Sequence, residues 1–296
     1  FGKPAAGARP RQKLDRHWDL SRTEDLAYGT VFLLAFLAFR GVYDTVPLLF
    51  AIGLGAATTY MMWKSVRLLR DSRVGHQGAA LKRDGRLRAP GVLFLASTAV
   101  LGFLAVQSGT VQISRSAAAG WDNRVALPLD QALSPERPPL SPAVAEAAAR
   151  AGTHYRRADR WTEGGIGLLA TPETVVRRAW IAAVEQRWDD ALHHLDRAAT
   201  LSPESLRIRL DRARIQGISG DADGAIAELR ALVAEAPGEA VFHSELARAL
   251  EDAEQLEEAV AARIVHVNLT GDPESSARLV DLLERLGRPG EAARYR

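Results

Sequence analysis

The chain has 296 residues, 47% of them hydrophobic but only 6% aromatic, a balance that favours helices over sheets and points to an all-α protein. It contains no cysteine, which excludes disulfides, thiolate zinc sites, thioether-linked haem and cysteine-held iron–sulfur clusters within these residues. The formal net charge of +2 hides an asymmetry: residues 1–116 carry 16 Lys+Arg against 7 Asp+Glu, and residues 117–296 carry 22 against 29, so the first part reads as membrane-proximal and the second as an acidic helical array, not a nucleic-acid binder.

The chain opens on Phe1, and what precedes it is left open. Residues 1–23 form a basic segment with Lys3, Arg9, Arg11, Lys13, Arg16 and Arg22. Residues 24–113 are predicted to hold three transmembrane helices. The first apolar run is Leu26 to Phe39, followed by Arg40, which can snorkel to headgroups. A turn at 41–45 leads to Val46 to Trp63, with Pro47 in its first turn. The third run starts at Gly91 and continues towards Ile113, about 20 residues and about 30 Å of helix.

The loop at 64–90 between the second and third runs is again basic, from Lys64 to Arg88, whereas the 41–45 turn and the stretch after Ile113 are poor in Lys and Arg. Positive charge stays on the cytoplasmic side, so the N-terminus and the 64–90 loop are expected there and the C-terminal domain in the periplasm, across the inner membrane. Trp18, Tyr28, Tyr43, Tyr60 and Trp63 fall near span ends, as interfacial anchors would. Gly53, Gly55, Ala56 and Ala57 offer a small-residue face for helix packing. His17 and His76 lie outside the apolar runs, so an intramembrane bis-histidine haem has no ligands, and no cofactor is expected.

Residues 114–141 are read as a proline-rich linker, with Pro128, Pro135, Pro138 and Pro139, and residues 142–171 as a helix at about 142–158 and a Gly-rich turn. Gly164-Gly165-Ile166-Gly167 lacks the Lys-Ser/Thr ending of a phosphate loop and is read as a turn. From Pro172 to Arg296 the chain repeats at 34 residues. Ala179, Ala213 and Ala247 keep that spacing, as do Ala191, Ala225 and Ala259, and Pro203 with Pro237; Leu195 is matched by Leu229. These residues resemble the tetratricopeptide repeat (TPR) family, with three repeats and a partial fourth. The third repeat departs from the pattern at Arg263 and Gly271, and Pro273 comes late.

The TPR resemblance implies stacked helix pairs forming an α-solenoid whose groove is lined by the first helix of each pair. It places Trp180, Arg214 and Arg248 on that groove, where Arg can hold carboxylates and Trp can anchor an apolar side chain. His193 and His194 are adjacent on a helix, diverge by about 100° and read as surface residues, not a metal pair. No nucleophile–base arrangement is evident, and no enzyme activity is expected.

Trp18-Asp-Leu-Ser-Arg-Thr-Glu-Asp25, the apolar hairpin, and Leu81-Lys-Arg-Asp-Gly-Arg86 together resemble the tail of polyferredoxin-like membrane proteins. That resemblance implies a cluster-free relative or the remaining part of a longer redox protein, and without cysteine no site residue transfers. The expected function is a non-catalytic membrane-anchored scaffold or accessory subunit that meets membrane lipid through its spans and other protein subunits of a membrane complex through its repeats. A respiratory or photosynthetic electron-transfer complex would be such a setting. The alternative is an assembly factor similar to the TPR proteins of cytochrome c maturation.

Overall fold

The structure, a computed structural model, describes residues 22–42, 48–76 and 79–296. Most of the basic N-terminal segment, His17, the anchors Trp18 and Tyr43, Pro47 and most of the 41–45 turn lie outside the described residues. The chain divides into two compact units, Phe1–Ile113 and Ser114–Arg296.

The first unit holds helices α1 (Arg22–Val42) and α2 (Leu48–Arg70), a three-stranded antiparallel sheet β1 (Val74–His76), β2 (Ala79–Arg83) and β3 (Arg86–Leu87), and most of α3 (Ala89–Asp122). The helices α1 and α2 pack through small contacts, with Gly55 against the Phe32 ring and Ala35, Ala38 and Ala51 buried. The sheet corrects the all-helical expectation and the reading of 64–90 as a loop, since residues 64–70 also continue α2. Asp84 and Gly85 both have positive φ and form the two-residue turn between β2 and β3, with Arg83 paired to Arg86. Leu68, Val74 and Leu81 form a buried cluster with Phe94 and Leu95, and Lys82 Nζ donates to the Leu68 carbonyl at 2.9 Å near the open end of α2. A Cβ at Gly91 would stand 2.2 Å from the Leu81 carbonyl oxygen, so β2 lies directly on the first turn of α3.

Among the described residues one helix, α3, is long and apolar enough to cross a membrane, not three. In α1 the apolar run is Leu26–Phe39, about 21 Å of helix at 1.5 Å per residue and short of the roughly 30 Å hydrocarbon core. In α2 the described helix starts at Leu48, and Thr58, Thr59, Lys64, Ser65 and Arg67 in its later part lower the mean hydropathy. In α3 only 6% of the most apolar stretch is buried, and Val92, Leu93, Val100, Phe103 and Val106 all stand exposed.

The second unit begins with the last turns of α3, so the expected linker at 114–141 is helical to Asp122 and then carries the one-turn helix α4 (Leu129–Ala132). The prolines sit only beyond this point, and Ala117, Ala118 and Ala119 favour continuing the helix. Ser141 caps α5 (Pro142–Ala158), with Pro142 in its first turn. The cap cluster of Ala118, Ala132, Ala147, Ala148 and Ala151 closes tightly because its side chains are small. Trp121 sits between two guanidiniums, Arg124 at 4.1 Å and Arg150 at 4.5 Å from the ring centre. Tyr155 donates to Asp122 at 3.0 Å, which Arg177 also approaches at 3.5 Å.

The array follows as α6 (Pro172–Val184) with α7 (Trp188–Leu201), α8 (Leu206–Ser219) with α9 (Ala222–Glu235), α10 (Ala240–Asp252) with α11 (Leu256–Thr270), and α12 (Pro273–Arg285) with the short α13 (Pro289–Ala292). The first helices of the first three pairs begin 34 residues apart, and so do the second helices, so the unit is a TPR-type solenoid. Ala179, Ala213, Ala247, Ala191, Ala225 and Ala259 are all buried where helices approach closely. The turns inside the pairs reuse a left-handed residue at Gln186, Gly220, Glu254 and Gly287. The off-pattern Arg263 is buried and paired with Glu251, which explains how an arginine replaces a leucine there.

The solenoid is tied to its cap by Asp159, which is 0% exposed. Arg178 from α6 and Arg197 from α7 pair with it, and the Arg160 N–H donates to it at 2.7 Å. The turn at 164–167 packs on the Asp159 backbone: a Cβ at Gly165 would stand 2.0 Å from the Asp159 main-chain carbonyl oxygen. Burial alone raises the Asp159 carboxyl, but the Arg160 amide and the two guanidiniums outweigh it and hold the group below its usual value. Replacing Asp159 with Ala leaves two inward-facing guanidiniums without their partner and is expected to cost about 3–5 kcal/mol. Urea denaturation followed by circular dichroism measures it, and a loss under 1 kcal/mol would rule out the clamp.

His194 is not the surface residue expected. Its ring is half-buried, and Nδ1 is buried without a hydrogen-bond partner. Burial first, then Arg178, Arg197 and His193, push its pKa down to about 4. The folded state therefore resists a proton that the unfolded chain accepts near its ordinary value of about 6.5. Stability is full above that value and falls as pH drops from about 6.5 towards 4, by roughly 1–2 kcal/mol once the partial exposure of the ring is discounted. A His194→Gln variant should lose this slope in thermal melts between pH 7 and 4.5; an unchanged slope would assign it elsewhere.

Candidate functional site

The first helices α6, α8 and α10 line a concave groove of about 790 Å³, with Trp180, Asp211, Arg214 and Phe242 on its walls. A second opening of about 550 Å³ lies towards the C-terminal ends of α8 and α10, walled by Arg214, Glu245, Arg248 and Asp252. Leu129 and Leu133 line both, so residues near α4 run across the concave face and separate the two openings.

The structure puts Trp180, Arg214 and Arg248 on this face, one from each pair, as their shared repeat position implies. Their chemistry differs. Trp180 is half-buried and leans on the cap cluster while lining the larger opening. Arg214 is 11% exposed, with Nη1 donating to Asp211 at 3.0 Å and Nη2 to Glu245 at 2.7 Å. Arg248 is 42% exposed, donates to the other Glu245 oxygen at 2.8 Å and lies 3.7 Å from Asp252.

An ion ladder, Asp211–Arg214–Glu245–Arg248–Asp252, thus links α8 to α10. Burial alone would raise the Glu245 carboxyl, but Arg248 and Arg214 outweigh it and hold it low. Asp211 shifts the other way, raised by burial that Arg214 does not fully offset. The expectation that the groove arginines bind carboxylates therefore holds no room for Arg214, whose fork is already committed within the chain. Arg248 keeps exposed surface for such a contact.

In the first unit, Gly53, Gly55, Ala56 and Ala57 do not share one face. Gly55 is buried, and a Cβ there would stand 3.3 Å from the Phe32 ring, whereas Gly53, Ala56 and Ala57 are exposed. Among the described residues no three His, Asp or Glu side chains converge as metal ligands. Sequence reasoning missed Asp159, Leu129 and Leu133; the i, i+4 spacing of the two leucines between Pro128 and Pro135 was the available signal.

No family model and no curated protein matches the chain, and the resemblance of residues 15–115 to polyferredoxin-like proteins finds no counterpart there. Among solved structures, MamA (41-end) from Desulfovibrio magneticus RS-1 is similar at 17% identity over 63% of this chain and 90% of its own, with a TM-score of 0.49. A crystal structure of MamA is similar at 15% identity over 51% of this chain and 85% of its own, with a TM-score of 0.44. The TPR-type assignment stands on the 34-residue spacing of this chain's own helices.

The ladder predicts unequal roles for its two arginines. Arg214→Ala leaves partly buried Glu245 and Asp211 short of a partner and is expected to cost about 2–4 kcal/mol, whereas Arg248→Ala, exposed, costs under about 1 kcal/mol. Thermal melts of the two variants check this, and equal losses would show that the ladder does not join the helices.

Proposed function

We propose that this chain is a non-catalytic scaffold, anchored in the inner membrane, that holds a protein partner on the concave face of its TPR-type array. The observation that carries the reading is the groove itself: apolar walls at Trp180 and Phe242, an exposed Arg248, and a rigid ion ladder behind them. Apolar walls with one or two directed charges suit a peptide or helix from another protein, not a reacting small molecule.

Anchoring is supported by the exposed apolar length of α3, and the two shorter apolar runs are proposed to cross beside it. The basic residues before the first run and between Lys64 and Arg88 favour the cytoplasm for those segments and the periplasm for the array. The partner is then a subunit of a membrane complex, with lipid around α3.

One experiment tests both halves. The full chain, tagged at its C-terminus, should sediment with membranes, leave them only in detergent, and retain the same co-purifying proteins in constant ratio. Replacing Trp180 with Leu, which keeps apolar packing on the cap, together with Arg248→Ala should reduce that retention about tenfold while the array still melts cooperatively. Recovery in the soluble fraction would overturn the anchor, and unchanged retention would overturn the groove. Loss of the partners on mild washing would favour a transient assembly factor over a stable subunit.

A further inference from the structure

Residues 128–137 lie where a bound partner would lie. Pro128 leads into α4, Ala132 is buried in the cap cluster, and Leu133 packs against the Val175 and Ala179 cluster of the first pair. The Gln186 amide donates to the Ser134 carbonyl at 3.3 Å and to the Pro135 carbonyl at 3.1 Å, and Arg137 donates to the Val184 carbonyl at the end of α6. This strap is held by a few backbone carbonyls and two leucines. Its seat is incomplete: Leu129 remains 44% exposed, Arg137 Nε is buried without a partner, and α4 has no side-chain cap.

We propose that the strap is an internal stand-in for the partner, and that the concave face accepts a short amphipathic helix bearing apolar residues at i and i+4, which binds by displacing residues 128–137. The inference rests on the groove reading above and names its ligand chemistry. The strap supplies the template: Leu129 and Leu133 stand one helical turn apart on one face, between the two openings. With the strap displaced, an external helix would also reach the two openings on either side of it. An occupant already in place lowers the apparent affinity of any competitor by the fraction of time the groove is free, so weakly matched sequences are excluded.

The test uses the full chain in detergent and, as probe, a labelled peptide of residues 126–139. A Leu133→Ala variant weakens the strap alone and leaves its seat on the Val175 and Ala179 cluster intact, so the array should stay folded. A Leu129→Asp, Leu133→Asp double variant releases the strap fully. Both should bind the peptide at least tenfold more tightly than the wild type, and a peptide with Asp in place of both leucines should bind none of them. If the double variant loses its helical signal, Leu133→Ala decides.

In the wild type, saturating peptide should speed hydrogen exchange at 129–137 without exposing α6 to α10. Equal affinity in all folded variants, or no exchange response, would overturn the proposal. Self-association of the released variants without peptide binding would overturn it in favour of strap exchange between copies. Because the probe is the chain's own segment, this can fail while partner retention still depends on Trp180 and Arg248, and the reverse.

Discussion

The cap of the solenoid depends on a carboxylate that cannot be left alone. Each pair in such an array buries its apolar face on the next, so the first pair needs a cover that is not itself a repeat. Here α5 and the end of α3 supply that cover with alanines, and Asp159 ties the loop after α5 to both helices of the first pair. A charge with no exposed surface is tolerated only because two guanidiniums and a backbone N–H converge on it. The loop is fixed separately by its backbone: the Gly-Gly-Ile-Gly segment has no side chain at 165 because the Asp159 main-chain carbonyl occupies the space one would need.

The same logic shapes the concave face. Charged residues there look like ligand contacts when read singly, yet most of their bonding capacity is spent between helices. Arg214 bridges Asp211 on its own helix and Glu245 on the next, so its role is to hold α8 and α10 in register. What remains for a partner is apolar wall, a half-buried tryptophan and the outer part of Arg248. The groove is therefore stiff in its spacing and sparing in its charge, which suits recognition by shape and apolar contact.

The repeat boundaries were legible because close helix approach demands small residues, and that demand recurs at 34 residues whatever else varies. The small sheet was not read, although Asp84-Gly85 is a turn signal of the right kind; its strands are only two to five residues long and sit inside a basic stretch that charge dominated. The linker was placed too early because prolines at 128 to 139 marked the whole stretch, while the helix formers at 117–119 carried α3 on to Asp122. Asp159 could not be found at all. Its partners lie 19 and 38 residues away on two different helices, and a buried ion pair has no local signature. The position-9 residues of the repeats were placed on the groove by periodicity alone, but periodicity says nothing of whether a guanidinium is already engaged.

The helix α3 changes the character of its surface along its length. From Val92 to Val106 it presents large apolar side chains outward, which in water would cost roughly 25 cal/mol for each Å² left unburied. Its last turns change character: Ala118 is fully buried in the cap, Arg115 reaches Glu173 at 2.7 Å and Trp121 is held between two arginines. No residue between 89 and 122 breaks the helix, so the change is made by side chains alone. On the proposed reading lipid covers the apolar stretch and the solenoid cap the alanine-rich end, and the switch between them falls where the apolar run gives way to Arg115, Ser116 and the alanines that follow.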